Sequence, residues 1–196
     1  MREFADRQID MEVIERIISA GLKAPTNDHM RNWEFVVVRD VEKRMDIVKA
    51  LAELTNKTDV EAWLDSWGAS DAVQRSMYLE AVPKQHSMLL GAGCLILPFF
   101  RQRGSLLRPE TLSSLNGLAS IWCCIENILI ASAAEGIYGV TRIPMGGELQ
   151  QIKRVIRHPD DYTIPCYIAL GYPAKDTVMI EQKTVSAKER IHTDVW

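Results

Sequence analysis

The chain lacks most of the signatures that assign chemistry at a glance. It has no glycine-rich phosphate loop and no Gly-x-Gly-x-x-Gly fingerprint, so a Rossmann reading has nothing behind it. It has no Cys-x-x-Cys pair. Its histidines, His29, His86, His158 and His192, are dispersed, which leaves no zinc site and no Ser-His-Asp or Cys-His arrangement arguable from order. Charge of one sign is missing too. A net charge of −3 gives no electrostatic case for nucleic acid or an anionic membrane. The basic cluster Lys153, Arg154 and Arg157 reads as a solvated helix face before it reads as a phosphate site. No uninterrupted apolar run spans a bilayer, and the charged N-terminus does not read as a signal peptide, so no membrane partner is expected. Four cysteines, Cys94, Cys123, Cys124 and Cys166, lie in apolar stretches. Buried reduced thiols and a cytoplasmic location are the expectation.

What is present is ordinary globular material. Hydrophobic residues make up 47% and charged residues 25% of 196 positions. That suits one domain over residues 1–196, with a sizeable core and no need of metal or disulfide. Apolar residues at helical spacing predict a helix over 9–22, with Asp10 as a candidate N-cap, and another over 40–54. Residues 34–38 read as a strand, and Gly93 to Phe100 as a buried one. Residues 55–80, with Trp63 and Trp67, read as short helices and loops, and 101–112 as a basic loop. Helix returns at 148–157, and a final strand runs from Tyr162 to Leu170. The longest apolar segment runs from Leu115 to Ala134 and includes Ile125 and Leu129. A helix apolar nearly all round needs cover on every side, and a partner subunit can supply what one small subunit cannot. Helices outnumber strands, which gives an α+β sandwich around a central sheet.

One stretch has chemical character. The helix of 9–22 leads into Ala24-Pro25-Thr26-Asn27-Asp28-His29-Met30-Arg31-Asn32-Trp33 and then the strand. A helix that ends, a polar loop and a strand entering a core can present backbone and side-chain donors to a polar ligand. Thr26 can equally do no more than cap a turn.

This stretch resembles the Ala-Pro-Ser-x-x-Asn-x-Gln-Pro-Trp-x-Phe signature of the nitroreductase family. Three further places agree, in the family's order: Arg2-Glu3-Phe4, Ile143-Pro144-Met145-Gly146-Gly147, and Ala169-Leu170-Gly171-Tyr172-Pro173 with Lys188-Glu189-Arg190 downstream. The resemblance implies a three-layer sandwich, a central mixed sheet wrapped by helices, in an intertwined homodimer with FMN at the subunit interface. It also implies sites. Arg2, Lys188 and Arg190 are candidates for the FMN phosphate, which needs Arg or Lys. Thr26 and Asn27, with His29 and Arg31, fall at the ring edge or ribityl chain. Pro144, Met145, Gly146 and Gly147 approach the ring face, where glycine lets backbone pack on a planar ligand.

Several positions depart from the family. His29 stands in place of Asn, Arg31 in place of Gln, and Asn32 in place of Pro. A cation such as Arg31 near the N1–O2 edge would favour reduced flavin, unless it points to solvent. Gly146 stands where Glu is common. The Arg-x-Ser portion that precedes the Arg2 element in the family is missing, which implies weaker FMN binding or a substitute residue.

The activity implied is an FMN-dependent oxidoreductase. NAD(P)H gives hydride to the flavin, which passes it by a ping-pong scheme to a nitroaromatic, a quinone or another oxidised small molecule, without a protein acid or base. The alternative is a flavin-binding module, or a specialised member with weak or lost reductase activity, such as a flavin-destroying or dehalogenating enzyme.

Overall fold

A computed structural model describes residues 1–51, 56–177 and 184–196. The predicted helix of 9–22 forms as α1, Met11–Gly21. Asp10 caps it through its backbone carbonyl, with no side-chain cap bond. Strand β1, Trp33–Val38, and helix α2, Val41–Val48, follow. The predicted helix of 40–54 is shorter in the structure: it ends at Val48, residues 49–51 turn away from it, and residues 52–55 lie outside the described residues. Helices α3, Lys57–Ser66, α4, Ala72–Ala81, and α5, Gln85–Gly91, lead into strand β2, Cys94–Arg101. Next come α6, Asn116–Ala134, β3, Tyr138–Arg142, and α7, Glu148–Ile156. The predicted final strand is two pieces, β4, Tyr162–Thr163, and β5, Tyr167–Gly171. Between them Pro165 lacks the N–H that a central ladder requires.

The sheet order is β1-β2-β5-β3, with β4 also on β2. Every described pairing is antiparallel, not mixed as the resemblance implied. The reason is topological. The crossover through α6 makes β2 and β3 parallel, but β5 slots between them and runs against both.

The period of two along buried strands generates the layers. Ile96 and Phe100 of β2 and Ile168 and Leu170 of β5 join Ile14 and Ile17 of α1 and Ile121 and Ile128 of α6 in one core. Leu95, Leu97 and Phe99, with Tyr167 and Ala169, turn to the other face and meet Ile47 of α2, Leu89 of α5 and Ile152 of α7. The three-layer α+β sandwich is therefore formed by one subunit. Helices α3 and α4 stand apart on a small core of their own, Val60, Leu64 and Val82.

Helix α6 is not buried on all sides. Ile121, Cys124, Ile125, Ile128 and Ser132 face inward. Ala119, Cys123, Glu126, Ile130 and Ala133, at spacings of three and four, form an open row, and Ile130 is 60% exposed. Cys123 is thus exposed, unlike the other three cysteines, because it falls on the open side of the helix. By length and composition alone the segment Leu112–Ala134 is apolar enough to cross a membrane, polar residues included. In this fold its helical part packs on α1, β2 and β3.

Candidate functional site

A cavity of about 860 Å³ opens between α3–α4 and the end of β3. Arg2 and Met145 line it, as do Gln85 and Arg142. The segment that delivers Arg2 is fixed by main chain. Phe4 bridges Pro173, Ala5 N–H donates to the Tyr172 carbonyl at 2.9 Å, and the Phe4 ring lies where a Cβ on Gly171 would stand, 2.6 Å away. Arg2 Nη1 lies 3.6 Å from Glu80 Oε2 of α4. Lys84 pairs with both Glu80 and Glu3, at 2.8 Å for the latter, so Arg2 sits beside a mixed-charge cluster.

The loop Ile143–Gly147 forms the opposite rim, and its ends are tied together. Arg142 Nη1 and Nη2 donate to Glu148 Oε2 and Oε1 at 2.5 and 2.8 Å, while Arg142 Nε donates to Gln85 Oε1 at 2.8 Å. Tyr167 Oη donates to Glu148 Oε2 at 3.0 Å. Arg142 and Glu148 are both buried. Burial raises the Tyr167 hydroxyl well above its ordinary pKa, and the neighbouring Glu148 adds to the shift. The fork closes the loop across its base and leaves Ile143 and Met145 exposed at its crest. Pro144 lies between them, and Gly146 takes a positive φ of 52°, which glycine adopts without cost. A Cβ on Gly146 or Gly147 would meet nothing within 4 Å, so this backbone faces open space.

Thr26 and Asn27 lie elsewhere. They line a second cavity of about 420 Å³ with Asn32, Arg101, Arg103 and Ser113. Asn27 N–H donates to Ser120 Oγ of α6 at 3.1 Å, which seats the loop on that helix. Asp28, His29 and Arg31 all have positive φ, between 43° and 54°, an uncommon conformation for side-chain-bearing residues. Arg31 Nε donates to the Leu22 carbonyl at the end of α1, at 3.1 Å. Neither His29 nor Arg31 lines the cavity. Lys188 and Arg190 sit in a third place. Residues 184–196 are exposed throughout, and Ile191, Val195 and Trp196 present apolar side chains to solvent.

The residues singled out in the sequence thus fall into three groups on one subunit. Two clusters had no expectation attached. The Arg142–Glu148–Tyr167–Gln85 network was hidden because a folded loop joins residues six apart. Trp63, Trp67 and Tyr78 form an aromatic group at the first cavity. Trp63 and Trp67 were signalled by their i, i+4 spacing. Burial pushes the Cys94, Cys124 and Cys166 thiols up to about 12, which keeps them protonated and removes them as nucleophiles.

The sequence profile of the nitroreductase family matches residues 1–172, and the chain belongs to that family. Protein DrgA of Synechocystis sp. is 26% identical over 178 residues, 87% of this chain and 78% of that protein. The crystal structure of oxidized iodotyrosine deiodinase bound to FMN and 3-iodo-L-tyrosine superposes with a TM-score of 0.73 at 16% identity, over 100% of this chain and 94% of that one. The FMN-dependent nitroreductase from Clostridium difficile gives 0.67 at 15% identity, over 100% and 94%.

Proposed function

We propose that the protein is an FMN-dependent oxidoreductase that uses NAD(P)H, working as a homodimer with each site shared between subunits. The observation that supports this best is the separation of the candidate residues. Arg2 and the 143–147 loop flank one cavity, Thr26 and Asn27 flank another, and Lys188 and Arg190 lie in the exposed segment 184–196. A second copy can bring these groups together. The row Ala119, Cys123, Ile130 and Ala133 on α6 and that exposed segment are surfaces such a copy would cover.

The residues fit a flavin mononucleotide. A Cβ on Gly146 or Gly147 would meet nothing, which leaves that backbone accessible to a planar ring. Arg2, Lys188 and Arg190 supply cations for a dianionic phosphate. The bound group would supply two-electron redox chemistry between NAD(P)H and an oxidised acceptor. This chain's residues would bind and orient. Arg2 would exchange Glu80 for phosphate, and Glu80 would keep Lys84 as its partner. The Arg142–Glu148 fork would hold the loop at fixed height against the ring. Thr26 and Asn27 of the other subunit would meet the ring edge.

Purified protein is expected to be yellow and to bleach anaerobically with NAD(P)H. A colourless protein that cannot be reconstituted with FMN overturns the reading. A charge-assisted phosphate contact is worth roughly 1.5–3 kcal/mol. Arg190→Ala is therefore expected to weaken FMN binding about tenfold to a hundredfold by fluorescence titration, with the apo melting temperature unchanged. Unchanged affinity would leave the segment solvated.

The dimer has its own test. An obligate interface should bury over ~2,000 Å². Ile125 packs within its own subunit, so Ile130, on the open row, is the informative position. Ile130→Asp is expected to abolish the dimer seen by light scattering. A wild-type monomer at micromolar concentration argues against the shared site.

A further inference from the structure

Arg31 lines neither cavity, yet its backbone holds a costly conformation. Its φ is 43°. Asp28 and His29 share the left-handed region, at 52° and 54°. Asp and His are enriched there, and arginine is not. Such a conformation persists only where surrounding contacts over-determine it, and an outlier of this kind points to function.

The contacts that hold this loop are few. Asn27 N–H donates to Ser120 Oγ of α6 at 3.1 Å. Main-chain bonds fix the far end, where Arg101 N–H donates to the Asn32 carbonyl at 3.1 Å and Trp33 N–H to the Arg31 carbonyl at 2.7 Å. Between these points, Asp28, His29, Met30 and Arg31 make one described side-chain hydrogen bond that leaves the loop. It runs from Arg31 Nε to the Leu22 carbonyl, at 3.1 Å. Leu22 is the C-cap of α1, where helix carbonyls lack intrahelical partners and the helix dipole favours a cation. The bond closes residues 23–30 into a loop, with Thr26 and Asn27 at its middle.

We propose that Arg31 is a positioning residue. Through its Nε bond to Leu22 it pins the base of the 23–30 loop, and so sets where Thr26 and Asn27 stand against the flavin edge. The proposal rests on the flavoprotein reading, which gives Thr26 and Asn27 that edge. The N–H donor does the work, and the positive charge has no effect on the flavin. Glutamine separates the two. Its Nε2 hangs on the same run of three side-chain carbons as arginine Nε and donates an N–H without a charge. Glycine removes the side chain and relieves the backbone at positive φ, so it deletes the pin without adding strain.

The test measures FMN affinity by flavin fluorescence, midpoint potential against reference dyes, and amide exchange over residues 27–33 of the flavin-free protein. Arg31→Gly is expected to weaken FMN by about threefold to tenfold, the scale of one lost hydrogen bond, and to speed exchange across the loop. Arg31→Gln is expected to bind FMN within about twofold of wild type, with wild-type exchange and an unchanged potential. A lower potential in Arg31→Gln places the charge on the flavin and overturns the proposal. Wild-type affinity in Arg31→Gly, or losses in Arg31→Gln equal to those in Arg31→Gly, overturns it as well. A wild type that takes up no FMN sinks the flavoprotein reading separately, and the exchange comparison between the two variants then decides the pin.

Discussion

Glu148→Ala is expected to destabilise the protein by about 3–5 kcal/mol, the range for breaking one side of a buried ion pair. Glu148 is 2% exposed and serves three donors, Arg142 Nη1, Arg142 Nη2 and Tyr167 Oη. Its removal leaves a buried guanidinium with Gln85 and the Ile143 carbonyl as remaining partners and strands a phenol that burial already keeps protonated. Against a typical total of about 5–15 kcal/mol, that is a large share. At roughly 2–4 °C per kcal/mol for a domain of this size, the melting temperature should fall on the order of 10 °C. The damage should be local as well. The fork sets the span of the 143–147 loop, so FMN affinity should fall more than the stability loss alone explains. Replacing the network together, as Arg142→Met, Glu148→Leu and Tyr167→Phe, should restore much of the melting temperature, because apolar residues of similar volume need no counter-charge. It should not restore FMN affinity, because the loop would lose its clamp. A Glu148→Ala protein that melts with the wild type would show that the buried fork is energetically idle.

The fork also marks where sequence reading reached its limit. Strand β2 was legible because a strand buried on both faces reads as an unbroken apolar run, Cys94 to Phe100. Helix α1 was legible from its spacing. The loop 143–147 was legible as a turn before a helix through its Pro and two glycines. Strand β3 was not. Tyr138-Gly139-Val140-Thr141-Arg142 lies at a sheet edge with one strong apolar residue, and its pattern is set by what covers it. The break at Pro165 was visible as a residue but not as a strand boundary. Long-range placement was the larger gap. Nothing local to Thr26 or Arg2 reveals that they line different cavities, because that depends on sheet order and on which side of α6 each loop lands. The open row on α6 has the same cause. The sequence required cover for that helix, while the fold decided that Ile125 turns inward and Ile130 outward.

Arg44→Ala is expected to cost about as much as Glu148→Ala, for a different reason. Arg44 is 2% exposed, yet its described hydrogen bonds all run to main-chain carbonyls. Its Nε donates to Val38 at the end of β1 at 3.0 Å, and Nη1 donates to Leu90 at 3.0 Å and to Ala92. Burial lowers its pKa below arginine's ordinary value, the direction expected when carbonyl dipoles alone compensate a guanidinium. These carbonyls come from the end of β1, the end of α5 and the turn into β2, so one side chain satisfies orphan groups at a helix terminus and a strand terminus together. Removing it leaves several buried acceptors unpaired, at about 1–3 kcal/mol each before relaxation, and a cavity as well. Arg44→Lys should recover less than half of the loss, because an ammonium cannot present donors to carbonyls in three directions from one plane as a guanidinium does. Denaturant titration should show a lower midpoint with an unchanged slope for both variants. Leu90 in the last turn of α5 and Ala92 and Gly93 just after it supply three of these carbonyls, so amide exchange should rise first across residues 85–93. Protection of that segment in Arg44→Ala equal to wild type, with an unshifted midpoint, would mean that water replaces the guanidinium at little cost.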